Sequence, residues 1–159
     1  MTRSGIGFDS HRLAPGRRLV VGGVEIPHEL GLDGHSDADV LTHAVIDALL
    51  GAAGLGDIGE HFPDDREQWR EADSIGLLEV VMDMIRARGF APVNVDCTLV
   101  METPRLAPHR TAIRGRLAGA IDIPLERVNV KASTGERIGF VGRGEGVAAL
   151  AIATLDEPA

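Results

Sequence analysis

The chain has 159 residues, 16 of them Lys or Arg and 24 Asp or Glu, for a formal net charge of −8. That length suits one domain, able to bury roughly two-thirds of its chain surface, and 44% hydrophobic with 25% charged residues is a folded composition, not a disordered one. The acidic balance excludes a non-specific nucleic-acid binder and a polybasic membrane-surface protein, both of which need cationic faces. Taken alone, it also disfavours an anionic substrate.

Ser4 to His11, with Ile6 and Phe8, reads as a first strand. Arg17 to Pro27 reads as a hairpin, with Leu19, Val20 and Val21 before Gly22-Gly23 and Val24 and Ile26 after it. The glycine pair supplies the positive φ values of a two-residue hairpin turn. Ser36 is the expected N-cap of a first helix, with Asp39 three residues on. Val40, Leu41, Ala44, Val45, Ala48 and Leu49 follow at helical spacing as one apolar face. Gly51 to Gly59 is a glycine-rich exit and His61 to Arg70 a polar loop. Ile75, Leu77, Leu78, Val81, Met82 and Ile85 outline a second helix, which Gly89 is placed to end.

Val93, Val95, Cys97, Leu99 and Met101 alternate as in a half-buried strand. Leu106 to Ala120 predicts a third helix, with Pro108 tolerated only in its first turn. Val128, Val130 and Ala132 alternate in another strand, Gly135 to Gly146 is a glycine-rich loop, and Val147 to Leu155 is a continuous apolar strand. Asp156 to Ala159 reads as a short tail. The expectation is one domain over residues 1–159, α/β or α+β, with helices covering one face of a sheet. The other face must also be buried, which points to another subunit.

The single Cys97 cannot form an intramolecular disulfide, no apolar run approaches the roughly 20 residues of a membrane span, and Met1 to Asp9 lacks a signal-peptide core. A reducing cytoplasm is therefore expected.

Four constellations can carry chemistry. In Asp9-Ser10-His11, residues two apart on a strand point the same way, so the carboxylate and the imidazole converge. His43 lies on the helix stripe Asp39, His43, Asp47, opposite the apolar face. Two His and one carboxylate form a catalytic zinc set with an open fourth position. The plain alternative is a common D-x-H tripeptide and a solvated helix histidine. Second, His35 precedes the expected helix N-terminus, where free N–H groups favour an anion; the alternative is an ordinary cap.

Third, Asp57-Ile58-Gly59 and Phe62-Pro63-Asp64-Asp65 are acidic turns, either plain turns or a substrate-covering loop. Fourth, Lys131-Ala132-Ser133-Thr134-Gly135-Glu136 precedes a Gly-rich run, Gly139 to Gly146. It is not a Walker A motif, because the Lys comes before the glycines. Small hydroxyls and an acid there can hold a phosphate and Mg²⁺; the alternative is a glycine-rich connection.

D-S-H, G-H-S-D-A-D-V-L-T-H, D-A-L-L-G-A, G-D-I-G-x-x-F-P-D, and K-A-S-T-G-E followed by G-F-x-G-R-G-E-G occur in this order along nearly the whole chain. With these five motifs the chain resembles the 2-C-methyl-D-erythritol 2,4-cyclodiphosphate synthase family of the non-mevalonate isoprenoid pathway. The resemblance implies an α+β fold, a mixed β-sheet with helices on one face and the other face toward the centre of a homotrimer. It implies conversion of 4-diphosphocytidyl-2-C-methyl-D-erythritol 2-phosphate to the cyclic diphosphate with release of CMP.

It further implies Zn²⁺ on Asp9, His11 and His43, and Mg²⁺ or Mn²⁺ on Glu136 and the substrate phosphates. His35 and Thr134 would stabilise the transition state. Substrate contacts would come from Asp9, Ser10, His11, Ser36, Asp57, Ile58, Gly59, Phe62, Pro63, Asp64 and Asp65. Met101, Pro104, Arg105, Ala107, Ser133, Thr134, Gly135 and Glu136 would hold the cytidine and its phosphates. Active sites would lie between subunits, and Phe140, Arg143 and Glu145 would line a central cavity fit for an isoprenoid diphosphate.

Three positions depart from the family pattern: Ser133 for Thr, Arg105 for Lys, and Gly135 for a bulkier residue. The last predicts a looser loop. A zinc-dependent phosphoesterase and a non-catalytic trimeric metal- or isoprenoid-binding module remain as rival readings.

Overall fold

In chain order the strands are β1 (Thr2–Pro15), β2 (Leu19–Val21), β3 (Val24–Ile26) and β4 (Leu30–Asp33). Helices α1 (Val40–Ala53), α2 (Ile58–His61) and α3 (Ser74–Ala87) follow, then β5 (Ala91–Val100), α4 (Arg110–Ile121), β6 (Val128–Ser133), α5 (Gly139–Gly142) and β7 (Gly146–Asp156). The computed structural model describes residues 1–157. Five strands form one sheet in the order β4-β1-β7-β5-β6, antiparallel except for the parallel pair β5 and β6. The hairpin β2-β3 is a separate two-stranded sheet, turning at Gly22 and Gly23, both at positive φ. The fold is α+β. The expected tail is shorter than read: Asp156 ends β7, and residues 158–159 lie outside the described part.

Helix α1 packs on β1 and β7 on one side and on α3 on the other. It is buried almost all round, Ile46 and Leu50 included, so the expected polar stripe is not a solvent face. Asp39 is wholly buried and His43 nearly so, because the helix is sandwiched between the sheet and α3. The close approach rests on glycine. A Cβ on Gly5 would come to 2.2 Å from the Ala48 carbonyl oxygen, so only a bare backbone fits beneath α1.

The cap differs from expectation. Asp39, not Ser36, caps α1, accepting from the Thr42 N–H at 3.0 Å and from Gly22 and Gly23 N–H at 2.8 and 2.7 Å. The helix therefore starts beyond His35, which does not sit at its N-terminus. Strand β4 was not expected; it pairs with the end of β1, Arg12 opposite Asp33. The third helix starts at Arg110, and Pro108 lies in the 3-10 turn Ala107–His109 before it. The 3-10 turn Glu67–Trp69 breaks the expected polar loop, and α5 lies within the expected glycine-rich loop.

The sheet's other face is apolar at its centre. Along β7, Ala149, Ala151 and Ala153 point to the helices, while Leu150 and Ile152 point away. Phe8 pairs with Leu150 and Ile6 with Ile152, and all four side chains are exposed, Ile6 by 69%. Among the described residues, no helix is long and apolar enough to cross a membrane.

Candidate active site

The pleat of β1 turns Gly5, Gly7, Asp9 and His11 toward α1, and the closely seated helix presents His43 to them. Asp9 Oδ2 lies 2.9 Å from His11 Nε2 and 3.0 Å from His43 Nδ1. The two ring nitrogens are 3.2 Å apart. Burial alone would raise the Asp9 carboxyl, but hydrogen bonds and positive charge from the two histidines outweigh it and bring it to about 2. Burial pulls His11 down; the Asp9 carboxylate outweighs it and raises His11.

One ligand atom from each residue falls within 4.8 Å of the others, a grouping that can hold a metal ion. The donor chemistry fits: two imidazoles and a carboxylate are a common set for zinc. The remaining nitrogens are engaged as metal-bound histidines require. His11 Nδ1 faces the Asp33 carbonyl at 3.0 Å, and His43 Nε2 faces Ser74 Oγ at 2.8 Å.

A cleft of about 480 Å³ opens above the triad. His35, Ser36, Ile58, Gly59, Phe62, Pro63, Asp64 and Asp65 all line it, together with Asp47 and Trp69. Asp47 accepts from the Ile58 N–H at 2.8 Å, which pins α2 to α1; burial raises its carboxyl. Asp57 caps α2 through the Glu60 N–H instead of lining the cleft. Phe62 and Trp69 stack edge to face at 5.0 Å. The 62–72 segment is stitched to the rim: the Arg66 carbonyl meets His35 Nε2 at 3.2 Å, and the Glu71 N–H donates to the His35 carbonyl at 3.0 Å.

A second pocket, about 200 Å³, lies between the ends of β5 and β6 and the start of α4. Met101, Pro104, Arg105, Ala107, Ser133 and Thr134 line it. Glu136 sits beside it, accepting from Thr134 Oγ1 at 3.2 Å, and is not brought to the triad within this chain. Glu136 and Arg137 adopt φ of 52° and 62°, a conformation costly for side-chain-bearing residues and concentrated at functional turns. The expected looseness at Gly135 is not found. Its N–H donates to Glu102 at 2.6 Å, and a Cβ there would meet Gly142 N at 2.6 Å. Only glycine fits this tightly packed turn. Ser10 points away from the triad and, with Phe140 and Glu145, lines a third cavity; Arg143 pairs with Glu145 at 2.7 Å.

A family model described as the YgbB family matches residues 2–156. The chain belongs to the YgbB family. Among its curated relatives is 2-C-methyl-D-erythritol 2,4-cyclodiphosphate synthase of Chlorobium phaeobacteroides (strain BS1), 57% identical over 155 residues and 98% of each chain. A solved structure of a 2C-methyl-D-erythritol-2,4-cyclodiphosphate synthase in a CDP-bound form matches with a TM-score of 0.89 and 39% identity, over 97% of this chain and 100% of that one. The bifunctional IspDF from Campylobacter jejuni matches with a TM-score of 0.94 and 42% identity over 98% of this chain, which spans 42% of that larger chain.

In this YgbB-family chain, several residues around the site had no sequence signal. Arg17 clamps the loop that carries His35 and Ser36, donating to the Gly34 carbonyl at 2.9 Å and to the Leu32 and Ser36 carbonyls at 3.3 and 3.4 Å. Glu102 holds Gly135, and Ser74 meets His43. Each acts through a partner far away in sequence. Asp47 alone was visible, as the third member of the helix stripe.

Proposed function

We propose that the chain converts 4-diphosphocytidyl-2-C-methyl-D-erythritol 2-phosphate to 2-C-methyl-D-erythritol 2,4-cyclodiphosphate and CMP. It is a cyclising phosphorus-oxygen lyase. An oxygen of the substrate's 2-phosphate bonds to the β-phosphorus, the bond from that phosphorus to the CMP phosphate breaks, and no water is consumed. The observation that carries this reading is the Asp9, His11 and His43 triad at the floor of a cleft rimmed by His35, Ser36 and the 57–65 stretch.

Nucleophile and leaving group belong to one molecule, so the chain's task is to fold that molecule and offset its charge. Asp9, His11 and His43 would hold Zn²⁺, and Glu136 with the substrate phosphates would hold Mg²⁺ or Mn²⁺; bound there, the ions would supply Lewis-acid stabilisation of the phosphoryl oxygens. His35 and Thr134 donate to the oxygens on which charge builds. Ser36, Ile58, Gly59, Phe62, Pro63, Asp64 and Asp65, which line the cleft, hold the erythritol and its phosphates. Asp57 contributes indirectly, by capping α2, and Ser10 faces away from this portion. Met101, Pro104, Arg105, Ala107, Ser133 and Gly135 hold the cytidine portion. The net charge of −8 is compatible with an anionic substrate because acids that bind cations reverse the local field.

The working form is a homotrimer of one domain, residues 1–159, in the cytoplasm. The exposed Ile6, Phe8, Leu150 and Ile152 face supports burial between subunits. So does the separation of the triad cleft from the pocket near Glu136: a site between subunits unites one chain's triad with its neighbour's Glu136 pocket. Phe140 and Arg143 line a central cavity that takes an isoprenoid diphosphate.

Incubation with the substrate, Zn²⁺ and Mg²⁺ in ¹⁸O-water tests the reading. CMP and cyclic diphosphate should appear in equal amounts without ¹⁸O. Labelled, ring-opened product would mean hydrolysis, and absence of turnover would leave a binding module.

A further inference from the structure

We infer that Ser74 and Asp37 form a positioning relay that fixes the tautomer and ring orientation of His43, and so sets the metal affinity of the triad. The inference rests on the reading that Asp9, His11 and His43 hold zinc.

Ser74 is the first residue of α3 and is wholly buried. Its hydroxyl does not cap the helix: Asp73 does that, accepting from the Ile75 N–H at 3.2 Å. The Ser74 hydroxyl instead donates in a short hydrogen bond to Asp37 Oδ1 and lies 2.8 Å from His43 Nε2. A hydroxyl has a single proton, and here the carboxylate takes it. Toward His43 the Ser74 oxygen can therefore only accept, so Nε2 carries a proton whatever the charge of the ring. In the neutral ring the lone pair is then on Nδ1, the nitrogen that faces Asp9 and His11 and would hold the metal.

Asp37 is itself held rigidly. It accepts from the Ser74 N–H at 2.9 Å and the Asp39 N–H at 3.1 Å, and its own N–H donates to the Ala72 carbonyl at 3.1 Å. Ser36 Oγ also approaches His43 Nε2, but at 3.2 Å, and it accepts from the Ala38 N–H. One ring proton serves one acceptor, and the shorter, carboxylate-backed contact is the stronger. Such outer partners are typically worth about 10- to 100-fold in metal affinity.

Zinc content of the unaltered protein is measured first. Without stoichiometric zinc the metal reading itself falls. Chelator competition then compares variants whose melting temperatures confirm folding. Ser74→Ala should bind zinc about 10- to 100-fold more weakly, and Ser74→Thr, which keeps the hydroxyl, should recover most of that loss. Asp37→Asn should weaken binding in the same range, with the double variant little worse than the weaker single one, as expected for residues acting in series. Ser36→Ala should lose less than Ser74→Ala.

The Co²⁺-loaded Ser74→Ala protein should show an altered absorption spectrum. Unchanged zinc affinity in Ser74→Ala, or an equal loss in Ser36→Ala, would overturn the relay while leaving the metal site standing. The wild type offers an independent check without any substitution. Long-range proton–nitrogen NMR of the zinc-loaded protein should find His43 protonated at Nε2, and a proton on Nδ1 would overturn the inference.

Discussion

Gly7 on β1 meets the backbone of Ala44 on α1 with no room for a methyl group: a Cβ on Gly7 would lie 1.9 Å from the Ala44 carbonyl oxygen. Asp9 is two residues beyond Gly7, and His43 immediately precedes Ala44, so this contact sets the spacing of the triad. Gly7→Ala must push strand and helix apart. Overpacking costs about 1–3 kcal/mol, and the upper end applies because the obstructing atoms are backbone. The melting temperature should fall and zinc binding weaken together in the purified variant. A stable Gly7→Ala protein with full zinc would show that the spacing is not set here.

In the proposed zinc site His43 adds a ligand atom from α1 to two on β1. Removing it leaves Asp9 and His11, too few for a firm zinc site. His43→Ala should bind zinc more than about 100-fold more weakly and lose turnover, while the assembly persists because the outward sheet face is untouched. Elemental analysis of the purified variant checks this; a full complement of zinc would remove His43 from the ligand set.

Much of the triad was legible in the sequence because its parts follow local rules. Strand alternation pairs Asp9 with His11, and helical spacing isolates His43 from its apolar neighbours. The cap was not legible. Ser36 and Asp39 both match cap chemistry, and the choice falls to Asp39 through the N–H groups of Gly22 and Gly23 on a distant hairpin. Strand β4 is four residues long and exists by pairing with the end of β1, so no periodicity announces it. The Ser74 contact joins positions 31 apart, and it forms only once α3 has packed on α1. Local pattern gives elements and facing residues; which polar groups find each other across elements depends on packing.

Glu136 lies beside Thr134 in the strained turn after β6, away from the triad of its own chain. Glu136→Gln keeps the shape and removes the charge. Affinity of a hard-cation site depends on the charge of its oxygen ligands. The variant should need roughly tenfold more Mg²⁺ or Mn²⁺ for half-maximal turnover, with zinc content unchanged. A wild-type metal titration would take Glu136 out of the proposed second metal site.

Cys97 is buried in the middle of β5, its thiol donating to the Asn129 carbonyl at 3.3 Å. Burial pushes the thiol up to about 12, so the nucleophilic thiolate is scarce in neutral buffer. A cyclisation within one substrate needs no protein nucleophile. The native protein should resist alkylation by iodoacetamide, and Cys97→Ser should turn over at the wild-type rate. Loss of activity in a folded Cys97→Ser assembly would give this residue a part in the chemistry.

Phe8 stands opposite Leu150 on the sheet face away from the helices, with Ile6 and Ile152 beside them. Burying each such side chain is worth about 1.5–3 kcal/mol, and a carboxylate placed among them opposes association strongly. For the proposed homotrimer, Phe8→Glu should lower the mass by light scattering from three times 16.8 kDa to 16.8 kDa. The triad lies on the opposite face of the sheet and within one chain, so the dissociated variant should still bind zinc. Turnover should nonetheless be lost, because the proposed site between subunits draws Glu136 and the second pocket from the neighbouring chain. A monomer with full activity would place the whole site in a single chain, and a Phe8→Glu protein that stays trimeric would move the interface elsewhere.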